Sequence, residues 1–261
     1  MIYRLALPVF ALALMTATAN AQDRADTPRQ IGASYSGSVL FLTVADIQLS
    51  ASLQPDTYSA AAHFESAGLL AWFNDTNIDA GVSGYRNGRA LQPWRYDHIN
   101  HASKKGRTVG IDFPEGVATP RINPPFGSMG EPPASEAERN GALDPISAVF
   151  SLTLASQNSA QGVCTGTIAV FDGKARYDLR LENRGPDRVS TRAWRGDAIL
   201  CQAYLEPVSG YDPGDRPTED ETSEPVSIWL APIEDVYVPV RFRLKSSIGE
   251  INIKALSINV E

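Results

Sequence analysis

Side-chain character along most of this chain repeats every second residue, and that alternation confines it to strands with one buried face. Ile47, Leu49, Ala51 and Leu53 alternate with Gln48, Ser50, Ser52 and Gln54. Pro55-Asp56 then turns the chain, and Tyr58, Ala60, Ala62 and Phe64 alternate with Ser59, Ala61, His63 and Glu65. The two runs read as a long hairpin whose second strand presents small alanines inward.

The same logic extends the sheet. Residues 78–85 and 91–101 flank Asn87-Gly88, a dipeptide suited to the positive φ angles of a tight hairpin turn. Val109, Ile111 and Phe113 alternate with Thr108, Gly110 and Asp112. Residues 168–171 and 174–182 meet at Asp172-Gly173, with Tyr177, Leu179 and Leu181 opposed by Arg176, Asp178 and Arg180, so one side is wet. Four more strands follow at 199–205, 226–230, 238–245 and 250–260. In the last, the apolar set Ile251, Ile253, Ala255 passes to Leu256, Ile258, Val260, a slip of one residue that predicts a β-bulge.

One segment breaks the period. Asp144-Pro145 places a capping side chain before a proline suited to the first helical turn, and Ile146, Val149, Phe150 and Thr153 follow at helical spacing with Leu154 beside them. This predicts a short helix near 144–155 packed on the sheet. Before it, residues 114–141 carry Pro120, Pro124, Pro125, Pro132 and Pro133, a composition that cannot pair continuously, and read as a linker or flap. Two domains divided there would leave open strand edges, so a single β-rich domain over 22–261 is the better reading. The fold expected is mainly β, one curved antiparallel sheet in the form of a half-barrel or open barrel. The acidic stretch 210–225 reads as a mobile solvated loop, since its spacing fits no EF-hand.

The first twenty-one residues read as an export signal: Arg4 supplies a positive start, an apolar run over 5–17 is too short to span a bilayer, and Ala19-Asn20-Ala21 offers small residues at the cleavage point. An uncleaved leader would act as a membrane anchor instead. A lipid anchor needs a cysteine at the cleavage point, and the two cysteines are Cys164 and Cys201. In an exported chain these most simply bond to each other, closing a loop worth about 4 kcal/mol on the chain-entropy account. The expected location is the periplasm. No later segment is long and apolar enough to cross a membrane as a helix. A formal net charge of −7, with no basic cluster beyond Lys104-Lys105-Gly106-Arg107, argues against a nucleic-acid or anionic-lipid surface.

Leu143-Asp144-Pro145, the run 170–177 that includes Phe171-Asp172-Gly173, Cys201, Ile228-Trp229-Leu230 and Pro239-Val240-Arg241 stand in an order that resembles an exported bacterial family known as domain of unknown function 3108. The resemblance implies a sheet-rich envelope protein and supplies no catalytic residues. The expected outline is also similar to the half-barrels of periplasmic lipoprotein carriers, a likeness of fold alone.

Chemistry-bearing patterns are sparse. His98 and His101 stand three apart, on opposite faces of a strand, and do not share a metal; no cofactor motif occurs. His63 falls on the polar phase of its strand. Asp46, Glu65, Asp79, Asp97 and Asp112 lie in or beside strands, and two of them set across a cleft would suit hydrolysis of an envelope polymer. Trp72, Phe73, Trp94 and Tyr96 are candidates for lining a binding concavity, with core packing as their plainer role. Two readings follow: a non-enzymatic binder of an acyl chain, lipid or envelope partner, and an envelope-polymer hydrolase with paired carboxylates. A structural assembly factor is a third.

Overall fold

The computed structural model describes residues 28–40, 42–68, 76–88, 90–102, 106–154, 162–246 and 249–261. The export signal expected over 1–21, and Trp72 and Phe73, lie outside them. Seven strands come first: β1 (Arg29–Val39), β2 (Leu42–Leu53), β3 (Thr57–Ser66), β4 (Asn77–Asn87), β5 (Ala90–Asn100), β6 (Thr108–Asp112) and β7 (Thr119–Asn123). Helices α1 (Glu136–Arg139) and α2 (Pro145–Thr153) follow. The rest is β8 (Gly166–Phe171), β9 (Arg176–Ser190), β10 (Arg195–Ser209), α3 (Glu219–Ser223), β11 (Val226–Ile233), β12 (Val236–Ser246) and β13 (Gly249–Val260).

All thirteen strands join one antiparallel sheet in the order β7-β6-β5-β4-β3-β2-β1-β13-β12-β11-β10-β9-β8. The sheet curves without closing into a barrel. Its central pair is β1 with β13, so the first and last strands hold the two halves together. The bulge expected in the last strand is present: Ser34 pairs with Ser257 and Tyr35 with Ala255, which leaves Leu256 as the extra residue. Gly88 and Gly173 take the positive φ angles their hairpin turns require.

The two ends of the sheet do not pair with each other; the Pro-rich segment clasps them. Val117 next to β7 bridges to Asn140, and Leu143 bridges in parallel to Val170 of β8. The Leu143 amide donates to the Ala169 carbonyl at 2.8 Å, and the Phe171 amide donates to the Leu143 carbonyl at 2.8 Å. The β8 edge, which would otherwise template further strands, is thereby occupied, while beside β7 the pairing is made by Val117 and Ala118, just before the strand. Pro120 fits within β7 because an edge strand leaves its nitrogen without a ladder duty. A further contact ties residues 130–132 to the end of β10, where the Gly210 amide donates to the Pro132 carbonyl at 2.9 Å.

Helix α2 lies inside the curl. Asp144 caps it, accepting from the Ser147 amide at 2.9 Å, as its position before Pro145 predicts. The main core gathers Leu53, Tyr58, Tyr96, Ile111, Phe113, Phe150, Phe171 and Val238 around the helix. A second cluster surrounds Cys164 and Cys201. The stretch 210–225 is not wholly loop: α3 forms there, with Thr218 and Glu221 in a reciprocal capping box.

Candidate functional site

The inner faces of β1, β2 and β3 carry small and branched residues where they pass α2: Ala33, Ile47, Leu49, Ala51, Ala60 and Ala62. Alanines opposite a helix cannot reach it, so the helix and the sheet do not meet fully there. The gap is a partly enclosed cavity of about 290 Å³, whose helix side is formed by Ile146, Val149, Phe150 and Thr153. That is the stripe the helical spacing marks. Instead of burying itself wholly against strands, it leaves Ile146 and Val149 only partly buried where they line the cavity, while Ser147 and Ala148 are fully packed.

Two of the lining hydroxyls, on Tyr35 and Thr153, are bonded to carbonyls within the protein, and the nearby Tyr58 and Ser147 hydroxyls are bonded to each other, while Ser50 also borders a hollow on the outer face. Tyr35 Oη donates to the Pro239 carbonyl at 2.9 Å, Thr153 Oγ1 donates to the Phe150 carbonyl at 2.7 Å, and Tyr58 Oη shares a 2.7 Å hydrogen bond with Ser147 Oγ. Burial pushes the Tyr35 and Tyr58 phenols well above their ordinary range, so both stay neutral. The surface facing the cavity is therefore mainly hydrocarbon. A molecule lodged there gains by leaving water and finds little to hydrogen-bond.

The two described aromatic candidates part company. Register shifts between Ser83 and Gly84, so that Ser83 pairs with Arg95 and Gly84 with Pro93, and Trp94 is the bulged residue. Trp94 turns outward, 39% exposed, and meets Tyr85 edge-on with ring centroids 4.5 Å apart. Tyr96 points inward at 5% exposure and belongs to the main core, its hydroxyl 3.1 Å from His98 Nδ1. Neither contributes to the wall of the apolar cavity. Trp94 instead borders a wider hollow of about 590 Å³ on the outer face, floored by Ser50, Ser59, Gly81 and Ser83.

The ionisable candidates occupy that outer face as well. Asp97 accepts from Arg95 at 2.5 Å and Arg121 at 3.1 Å; Asp112 accepts from Arg121 at 2.5 Å. Partial burial works against the charge on Asp97, yet Arg95 and Arg121 outweigh it and hold its carboxyl below the usual range. Asp79 is shared by His63 Nδ1 at 2.7 Å and His101 Nε2 at 2.8 Å, which raises the His63 imidazole and lowers the Asp79 carboxyl. Asp46 and Glu65 oppose each other across β2 and β3, both exposed to solvent. His98 turns to the other face of β5, where burial lowers its affinity for a proton. Exposed ion pairs of this kind contribute little to stability; Asp97 borders the outer hollow and, with His63 and Asp79, a second open one of about 520 Å³. Among the described residues no cluster of His, Cys, Asp or Glu has metal-binding geometry.

Cys164 and Cys201 form a disulfide with Cα atoms 5.6 Å apart. Such a bond persists in an oxidising compartment. No helix among the described residues is long and apolar enough to cross a membrane.

An open antiparallel barrel with a helix in its lumen and an apolar space beside that helix defines the architecture. Residues 33–255 match the model of a family described as protein of unknown function, DUF3108, and the chain belongs to that family. A solved structure from Brucella abortus, a β-barrel-like protein of the DUF1849 family, is similar at a TM-score of 0.49 and 8% identity, over 90% of this chain and 97% of that one. No curated protein matches the sequence.

Proposed function

We propose that the mature chain, residues 22–261, works in the periplasm as a non-enzymatic binding protein, and that the space between α2 and β1–β3 holds an apolar ligand such as an acyl chain. The observation that carries this reading is the partly enclosed cavity of about 290 Å³, lined mainly by apolar side chains that include Ile47, Leu49, Val149, Phe150 and Phe242. The disulfide and the leader-like N-terminus support an address outside the cytoplasm, where envelope lipids are the abundant apolar molecules.

The test is lipid extraction with native mass spectrometry on protein purified from its exported form, followed by titration with dansyl-labelled undecanoic acid. Wild type is expected to carry lipid and to bind the probe. Val149→Phe, which projects a ring into the space, is expected to weaken the probe roughly tenfold, as displacing two methylenes at about 0.8 kcal/mol each would do. Wild-type protein that carries no lipid and binds no probe would refute the reading.

A further inference from the structure

The turn that joins β1 to β2 departs from ordinary turn chemistry twice. Its sequence is Val39-Leu40-Phe41-Leu42, apolar throughout, where Asn, Asp or Gly is usual. Leu40 has φ of 55°, the left-handed region that Gly and Asn occupy cheaply and a branched apolar side chain does not. The same residue is 78% exposed and Leu42 53%, so neither is repaid by packing within the chain. Folding alone would be served better by Asn at position 40. Strain and exposure together at one tip are the mark of a contact made outside the chain.

Register connects this tip to the cavity. Phe242 and Ile253, which line the cavity, pair with each other, and Gly37 pairs with both Ile253 and Ala45. The next inward row toward the rim is Leu42, Val39, Ile251 and Leu244, again paired in sequence across four strands. Every member of the two rows is apolar. Gly37 keeps the path shallow, since a methyl group there would come within 3.2 Å of the Ala45 Cβ. An apolar track therefore runs along the inner face from the cavity to the exposed leucines.

We infer that this rim is the end of the barrel that touches a phospholipid bilayer, with Leu40 and Leu42 entering its hydrocarbon edge and the track delivering an acyl chain between bilayer and cavity. A bilayer is the occupant favoured because Leu40 and Leu42 are exposed and apolar, and because the track continues them into a space fit for hydrocarbon. The inference rests on the binding reading above.

The experiment compares wild type with a Leu40→Asn, Leu42→Ser double variant, in which Asn suits the left-handed backbone and both side chains lose their apolar reach. Three quantities are read: affinity for dansyl-labelled undecanoic acid, flotation with vesicles of phosphatidylethanolamine and phosphatidylglycerol, and the rate at which bound probe passes into those vesicles. The variant is expected to bind the probe as wild type does, to float less, and to transfer probe roughly tenfold more slowly, the factor that corresponds to losing about one leucine's burial. Unchanged flotation and transfer in a variant that still binds probe would overturn the inference. If wild type binds no probe, the cavity reading fails, while flotation of wild type and not of the variant still supports the rim as a bilayer contact; equal flotation then overturns that too.

Discussion

Asp144 is a fully buried carboxylate whose role is to cap a helix, and its second oxygen, Oδ2, has no hydrogen-bond partner. Burial raises its affinity for a proton despite the amide and hydroxyl of Ser147. A carboxyl whose folded-state value is raised supports the fold fully below the usual carboxylate range and loses that support as pH climbs through the raised value. Asp144→Asn preserves a capping oxygen and cannot ionise. In urea denaturation its stability relative to wild type is therefore expected to improve between about pH 4 and pH 8. Asp144→Ala, which also cannot ionise but loses the cap, is expected to lie about 1 kcal/mol below Asp144→Asn at every pH. A constant offset between Asp144→Asn and wild type across that range would show that folding does not raise the carboxyl's affinity for a proton.

At the scale of elements, the clasp over 114–143 covers the outer edge of β8 and links it to the start of β7. Its contact with β10 is made backbone to backbone, and both partners are glycines for steric reasons. A Cβ at Gly130 would come within 2.2 Å of the Gly210 backbone, and a Cβ at Gly210 within 2.0 Å of the Lys174 carbonyl. Both also have positive φ. Gly130→Ala is expected to destabilise by about 1–3 kcal/mol through strain and displacement of the clasp. Hydrogen exchange should then rise at the Leu143 and Phe171 amides, which hold the β8 edge; protection unchanged at both would mean that the clasp is not one unit.

For the whole molecule, pairing of β1 with β13 makes the two halves of the sheet depend on each other. One cooperative urea transition is expected, and two separated transitions would divide the chain at the Pro-rich segment. The disulfide closes a loop with a sequence separation of 37. On the chain-entropy account its removal by Cys164→Ser with Cys201→Ser costs about 4 kcal/mol. That difference should appear as a lower transition midpoint with the slope nearly preserved, and an unchanged midpoint would contradict it.

Most strands were legible in the sequence because a buried face imposes its period locally. Ile47 to Leu53, Tyr58 to Phe64, and the slip at Leu256 all declare themselves without reference to a partner. The helix was equally plain, since Asp144 and Pro145 punctuate it. Strand β1 went unread, although Ile31, Ala33, Tyr35 and Val39 alternate with Gln30, Ser34, Ser36 and Ser38; glycines at 32 and 37 thin the pattern. Inside and outside were harder to assign for single residues. Trp94 and Tyr96 share a phase in sequence, and only the bulge opposite Gly84 sends them to different faces. The cavity was out of reach for a related reason. Small alanines on an inner face signal either close packing or empty space, and the choice depends on how far the sheet curls around α2, a distance set by contacts between residues remote in the chain. Alternation is a local consequence of having one dry face; the space enclosed by that face is a property of how the open sheet of thirteen strands curls around the helix.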